Sequence, residues 1–218
     1  VQDDNRLCGG SVVDRSWLVT AAHCVVGSTA SQVGAHVGVS RLDQRSSTNE
    51  VAIAEVIVHP SWDPRRFRND IALLRLADEI AFDSRVQAIA LPVGLDASQW
   101  PGRGTPARIS GWGSTRWEGS ASSQLLAGNV QVLTDPADSA CGEYAGQFDA
   151  AVEICAGLPD ATVDACQGDS GGPLVVDVGG RPVLAGITSV GNQCGLVDYP
   201  GIYTRVPTFL SWMQEYLP

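Results

Sequence analysis

The chain contains no lysine: all fourteen of its basic residues are arginine. No mechanism follows from that choice, but the low count of cations does carry weight. Against 24 acidic residues it leaves a net charge of −10, which argues against a nucleic-acid partner, since such proteins must neutralise phosphates. That acidity suits solubility and favours basic substrates over acidic ones. No apolar run approaches the ~20 residues of a membrane-spanning helix, so no membrane association is expected. Histidine is scarce, with three residues at His23, His36 and His59. There is no HExxH and no CxxC, so no zinc site is expected.

What is present suits a folded domain. The 218 residues are 44% hydrophobic and 17% charged, enough for a sizeable core and unlike a disordered chain. Six cysteines, an even number, point to three disulfides and to a secreted, extracellular protein; fifteen pairings are open at this stage. No secretory leader is visible at Val1, so any leader is read as already removed.

Short β-like runs separated by Gly and Pro dominate the chain. They are expected at 11–13, 17–20, 33–39, 51–58, 71–76, 87–91, 107–110, 129–133, 173–178, 183–189 and 201–205. Helical spacing appears at the end, where Phe209, Trp212, Met213 and Tyr216 recur every three or four residues. The stretch Val93–Pro106, VGLDASQWPGRGTP, has no β-like run and is the best linker between two halves. The expected fold is therefore all-β, a sandwich or barrels.

Gly168–Gly172, GDSGG, sets Ser170 among glycines in a G-x-S-x-G pattern, a weak signal in a chain with 24 glycines. A serine hydroxyl needs a base, and histidine is the usual one. All three histidines precede Ser170, which excludes the Ser–Asp–His order of α/β-hydrolases. An Asp–His–Ser order leaves only Asp3, Asp4, Asp14 and Asp43, none in an apolar strand context. His–Asp–Ser is satisfied easily. His23 in WLVTAAHC follows an apolar run and adjoins Cys24; His36 and His59 lack such anchoring and are read as structural. Asp70 in RNDIALLRL stands at the mouth of an apolar run, and a buried carboxylate there needs strong donors.

The segments LCGGSVV, WLVTAAHC, NDIALLRL, SGWGST, DACQGDSGGP and PGIYTRV, in that order, strongly resemble the trypsin-like serine proteases of the chymotrypsin family. The resemblance covers nearly the whole chain from Leu7. It implies two antiparallel Greek-key β-barrels with the active site between them, followed by a short C-terminal helix. The domains would be 1–92 for the N-terminal barrel, 93–106 for the linker, 107–206 for the C-terminal barrel and 207–218 for the helix. It further implies His23 as general base, Asp70 as its orienting carboxylate, Ser170 as nucleophile, and an oxyanion hole from the N–H groups of Gly168 and Ser170. The implied disulfides are Cys8–Cys24, Cys141–Cys155 and Cys166–Cys194.

The same resemblance places Asp164 at the floor of the specificity pocket, with Gly191 and Gly201 at its walls. A carboxylate there attracts Arg or Lys, and Ala165, where many relatives carry serine, favours Arg. Ser189, Val190 and Gly191 match the strand that pairs with substrate main chain, although the middle residue is usually tryptophan. The loop DQRSSTNE at Asp43–Glu50 lacks the acids that calcium needs, so no metal and no cofactor is expected. Asp169 matches the carboxylate that pairs with a terminal ammonium after activation. The start VQDDNRL looks like the end of a first strand and a polar turn, so about two dozen residues, with most of a strand needed for barrel closure, are expected to be missing.

The leading expectation is a monomeric endopeptidase that cuts protein or peptide substrates after Arg, and less well after Lys. Protein protease inhibitors are further expected partners. The alternative is a zymogen-like or non-catalytic homologue acting as a binding module. Self-cleavage is expected at Arg65, Arg66 and Arg116, in surface loops.

Overall fold

The computed structural model describes residues 1–3, 6–135, 141–144 and 146–218, with the backbone alone for Asp3. Asp4 and Asn5, where the polar turn near the start was expected, lie outside the described residues.

The first half of the chain forms strands β1 (Gln2–Asp3), β2 (Arg6–Leu7), β3 (Ser11–Asp14), β4 (Trp17–Thr20), β5 (Gly34–His36), β6 (Glu50–Val58) and β7 (Ala72–Leu76). They make one antiparallel sheet in the order β2-β1-β5-β6-β7-β4-β3, which curls without closing. The WLVT of β4 is buried at every position, as a central strand covered on both faces should be. A one-turn helix, α1 (Ala22–Val25), follows it directly.

The second half forms β8 (Pro106–Gly111), β9 (Leu126–Val132), β10 (Glu153–Gly157), β11 (Pro173–Val178), β12 (Arg181–Val190) and β13 (Gly201–Arg205). These close into a barrel, β10-β13-β12-β11-β8-β9. The connection from β10 returns β11 to the side of β8, giving the order β11-β8-β9-β10 of a Greek key. In β8, exposed Pro106 and Arg108 alternate with buried Ala107 and Ile109, the period of two expected of a one-sided strand. The chain then ends in a 3-10 turn at Val206–Phe209 and α2 (Leu210–Met213). Pro207 in that turn supplies no donor and fits a helix start.

Two differences from the sequence reading matter. Residues 87–91 make no strand and contribute one isolated bridge, Ala90 with Val183. Residues 153–157, which show no clear alternation, do form a strand, because every one of them is buried. The first sheet's core runs from Cys8 and Trp17 through Leu73 and Leu74 to Leu184, Phe209 and Met213, so the terminal helix packs against the N-terminal half. Three disulfides form, Cys8–Cys24, Cys141–Cys155 and Cys166–Cys194, the pairing that the resemblance implied. Each can add roughly 2–4 kcal/mol by restricting the unfolded chain.

Strand register then builds the site. Thr20 pairs with Ala72 across antiparallel β4 and β7, so the chain leaving β4 towards His23 lies beside the chain carrying Asp70 into β7. Pro173 pairs with Ile187 and Val190 with Ile202, so the loop before β11, the end of β12 and the start of β13 share one rim of the barrel.

Candidate active site

Asp70 is fully buried and almost fully satisfied. Its Oδ1 accepts the backbone N–H of His23 at 2.9 Å. Its Oδ2 lies 2.6 Å from His23 Nδ1 and accepts the Ser189 hydroxyl, also at 2.6 Å. The Thr204 hydroxyl donates to the Asp70 carbonyl at 2.8 Å. Ser189 and Thr204 belong to the barrel while Asp70 belongs to the first sheet, so this carboxylate joins the two halves. With Nδ1 facing a carboxylate, the proton of a neutral imidazole sits on Nδ1 and Nε2 is left as the basic nitrogen. An edge contact with Phe67, 5.6 Å between ring centroids, covers the imidazole from the side.

The nucleophile loop is tied to the same corner. Ser170 accepts the Gly9 N–H at 2.7 Å through its carbonyl, and the Thr20 hydroxyl donates to the Gly9 carbonyl at 2.9 Å. Gly9 follows Cys8, whose disulfide to Cys24 is anchored next to His23. The approach is so close that a Cβ on Gly9 would stand 2.6 Å from the Gly172 Cα, while one on Gly172 would stand 2.8 Å from the Asp169 carbonyl, so both positions favour glycine. Among the described residues, no hydrogen bond joins the Ser170 hydroxyl to His23; the His23 Nε2 has the Cys24 sulfur at 3.8 Å. Such bonds are often long before a substrate is bound. Gly168 has a φ of +99°, which favours glycine, and among the described residues its N–H and that of Ser170 donate to no protein acceptor.

Asp164 sits on the wall of a cavity of about 300 Å³, together with Ala165, Cys166, Thr188, Cys194 and Gly195. Its oxygens accept the N–H groups of Ala165 at 2.8 Å and Gly195 at 2.9 Å. Burial pushes its carboxyl above the usual range, an effect that the two backbone donors oppose. Gly191 lines a neighbouring cavity with Phe67, and Gly201 starts β13, where an added Cβ would stand 3.0 Å from the Tyr203 ring; neither is among the residues lining that 300 Å³ cavity.

Asp169 lines the same cavity as Asp164 but has its own backbone donors. Its carboxylate accepts Gly113 N–H at 2.7 Å and Cys166 N–H at 3.0 Å, and burial again raises it above the usual range. A Cβ on Gly111 or Gly113 would collide with it. His36 bonds Asn49, and His59 stacks against Phe209 and Trp212; neither approaches Ser170 through any bond among the described residues. The Ser189 and Thr204 hydroxyls are the parts of the site that sequence reasoning missed. Each lies more than a hundred residues from Asp70, and no local pattern marks them.

The sheet, the Greek-key barrel and the carboxylate–imidazole pair at their junction describe a two-part β protease fold. The family model described as Trypsin matches residues 1–213, and the chain belongs to that family of serine proteases. It is 38% identical over 213 residues to Serine protease 56 of Mus musculus and 37% identical to its Homo sapiens counterpart. Those matches take in 96% of this chain and 34% of either relative, so the chain spans about a third of their length. Trypsin of Sus scrofa is 35% identical over 215 residues, covering 97% of this chain and 85% of that protein.

Among the described residues, the one His/Cys/Asp/Glu group dense enough to consider for a metal is Cys8, His23 and Cys24. Its two sulfurs form a disulfide, which removes both thiolates.

Proposed function

We propose that this chain is a serine endopeptidase that cuts after Arg, and less well after Lys, by way of an acyl-enzyme. The observation that carries the proposal is the His23–Asp70–Ser189 network, with the Ser170 loop tied to the segment that bears His23.

In the proposed reaction the Ser170 hydroxyl attacks the substrate carbonyl carbon while His23 Nε2 takes its proton. The Gly168 and Ser170 N–H groups receive the resulting oxyanion. The C–N bond then breaks, the departing amine takes the proton from His23, and the acyl group stays on Ser170. Water, deprotonated by the same nitrogen, releases the acid and restores the hydroxyl. Asp70 keeps the imidazole oriented and stabilises its charged form.

For the cut residue, the Asp164 carboxylate has spare lone pairs for a bidentate guanidinium. Ala165 offers no hydroxyl to a lysine ammonium, which supports Arg over Lys. Gly191 and Gly201 would leave the pocket wall low, and Ser189–Gly191 would pair with substrate backbone. Asp169, partly buried and held by two N–H groups, is the proposed anchor for an ammonium group that orders this loop on activation.

Three disulfides favour a secreted, extracellular setting. Among the described residues, no helix is long and apolar enough to cross a membrane. The proposed partners are protein and peptide substrates, with protein protease inhibitors as a second class. The domain division at 93–106 follows from the same reading.

A fluorophosphonate probe and paired Arg and Lys peptide substrates test the proposal together. Labelling confined to Ser170, with kcat/KM higher for Arg than for Lys, is expected. Well-folded protein that neither labels nor turns over would favour a non-catalytic homologue.

A further inference from the structure

Beside the active site lies a second cavity, of about 560 Å³, that the proposed reaction leaves unused. Phe67, which packs on the His23 ring, forms one side, and Val190 and Gly191 at the end of β12 form another. The cavity therefore opens within one side chain of the general base and along the strand end that is proposed to hold the substrate backbone.

Its charges are arranged unevenly. At the rim, exposed Arg65, Arg66 and Glu143 all line the cavity, and Arg66 is already 3.6 Å from the Asp63 carboxylate. These groups are exposed, so water and salt weaken them, and their signs roughly cancel. Deeper in, Glu153 of β10 lines the cavity with 2% of its surface exposed. Its Oε2 accepts the Asp149 N–H at 2.7 Å, and among the described residues no salt bridge reaches it. Arg68, the nearby cation, sits 3.4 Å from Asp149 instead. Arg205 turns its Nε to the Ala150 and Glu153 carbonyls rather than to the Glu153 carboxyl. A buried carboxyl with one backbone donor, spare acceptor capacity and, among the described residues, no salt bridge is an unusual thing for a fold to keep at the back of a cavity.

We propose that this cavity is a second recognition pocket, in which Glu153 receives a basic side chain of the substrate from the N-terminal side of the cut bond. The inference rests on the protease reading above. It assigns the enzyme a preference for paired or closely spaced basic residues over a single arginine. Burial makes Glu153 the stronger influence than the solvated rim arginines, because opposite charges attract more strongly out of water.

The buried state of Glu153 also gives the pocket a pH signature. Burial, followed by the pull of Asp149 and Asp70, raises its carboxyl to about 7, against the opposing Asp149 N–H and Arg68. Below that value the carboxyl is neutral and holds a cation weakly; above it the charge is present. The other charged groups around it are Arg65, Arg66 and Glu143, which line the cavity, with Arg68, Asp149 and Arg205 packed nearby.

The test uses two peptides with the same Arg at the cut, one carrying Arg and the other Leu at each of the three preceding positions in turn. The ratio of their kcat/KM values in one reaction cancels the active fraction and the titration of the catalytic residues. At one position the Arg peptide should be favoured about fivefold at pH 8, falling towards parity at pH 6. In Glu153→Gln the ratio should lie near parity at both values. A flat ratio in the unmodified protein, a preference for an acidic residue, or an unchanged ratio in the variant would each overturn the proposal. Absence of hydrolysis of every peptide would instead remove the protease reading on which it rests.

Discussion

Replacing Glu153 by Gln should stabilise the folded chain, and more so as the pH rises. The carboxyl moves from an ordinary 4.5 to about 7 because its burial disfavours the charged form. A carboxyl that is harder to ionise when folded holds its proton more tightly in the native state. Below pH 4.5 it is neutral in both states and makes no difference. Between 4.5 and about 7 the unfolded chain loses the proton first, so stability falls as pH rises, and above 7 the loss is complete. With a tenfold change in proton affinity equal to about 1.4 kcal/mol, the loss amounts to roughly 3 kcal/mol. Glutamine keeps the shape and an acceptor for the Asp149 N–H without that charge. The assay is urea unfolding of Ser170→Ala and of the Ser170→Ala, Glu153→Gln double variant, with the background chosen to prevent self-digestion. At pH 5 the two midpoints should lie close together; at pH 8 the double variant should be later by about 1 M, for a slope of about 3 kcal/mol per molar. The Asp164 and Asp169 carboxyls, also raised by burial, are common to both proteins and cancel. Equal midpoint differences at pH 5 and pH 8 would refute the reasoning.

Asp164→Asn should lower kcat/KM for Arg peptides by about 30-fold to several thousand-fold, the range expected when one partner of a buried charge pair is removed at a cost of 2–5 kcal/mol. A loss confined to kcat, with binding intact, would contradict the pocket-floor role. Because burial raises Asp164, turnover of Arg peptides should also fall on acidification sooner than an exposed aspartate would dictate; the pH profile of Asp164→Asn should lack that limb. Ser189→Ala removes the hydroxyl donor from Asp70 Oδ2 and should lower kcat or folding stability by about 1–3 kcal/mol, read by steady-state kinetics and by urea. Unchanged values in both would mean that the bond contributes nothing. Peptide mapping of aged protein should show cuts after Arg65, Arg66 or Arg116, all exposed, and intact bonds at all three would contradict self-cleavage.

Much of this fold could be read from the chain because its strands are short and bounded by clear punctuation. Residues 17–20, 173–178 and 201–205 have identical limits in sequence and structure, each a β-branched or apolar run bounded on one side by a turn or proline. The two strand misreadings have one physical cause. A period of two is visible only where one face meets water. In β10 both faces are covered, one by the barrel core and the other by the Cys141, Tyr144 and Phe148 cluster, so Glu153 can sit inside without interrupting the strand. Residues 87–91 show the converse: an apolar alternation that faces a core without finding a continuous partner strand.

The site divides along a similar line. His23, Asp70 and Ser170 stood out because each is marked by its immediate neighbours, a cysteine, an apolar run or a pair of glycines. The groups that hold Asp70 in place come from across the fold, and no window of sequence joins Ser189 or Thr204 to it. The same argument accounts for Glu153. Nothing in the sequence EICAG marks it, since no strand is expected there and its neighbours show no alternation. The strand register sets Glu153 opposite Thr204, one residue before Arg205, and so draws it into the junction that also encloses Asp70. Burial there makes the carboxyl a costly group, and it lines the cavity shared with Phe67 and Val190. A residue that lowers stability while lining a cavity fits the proposed pocket, in which it is kept for what it binds.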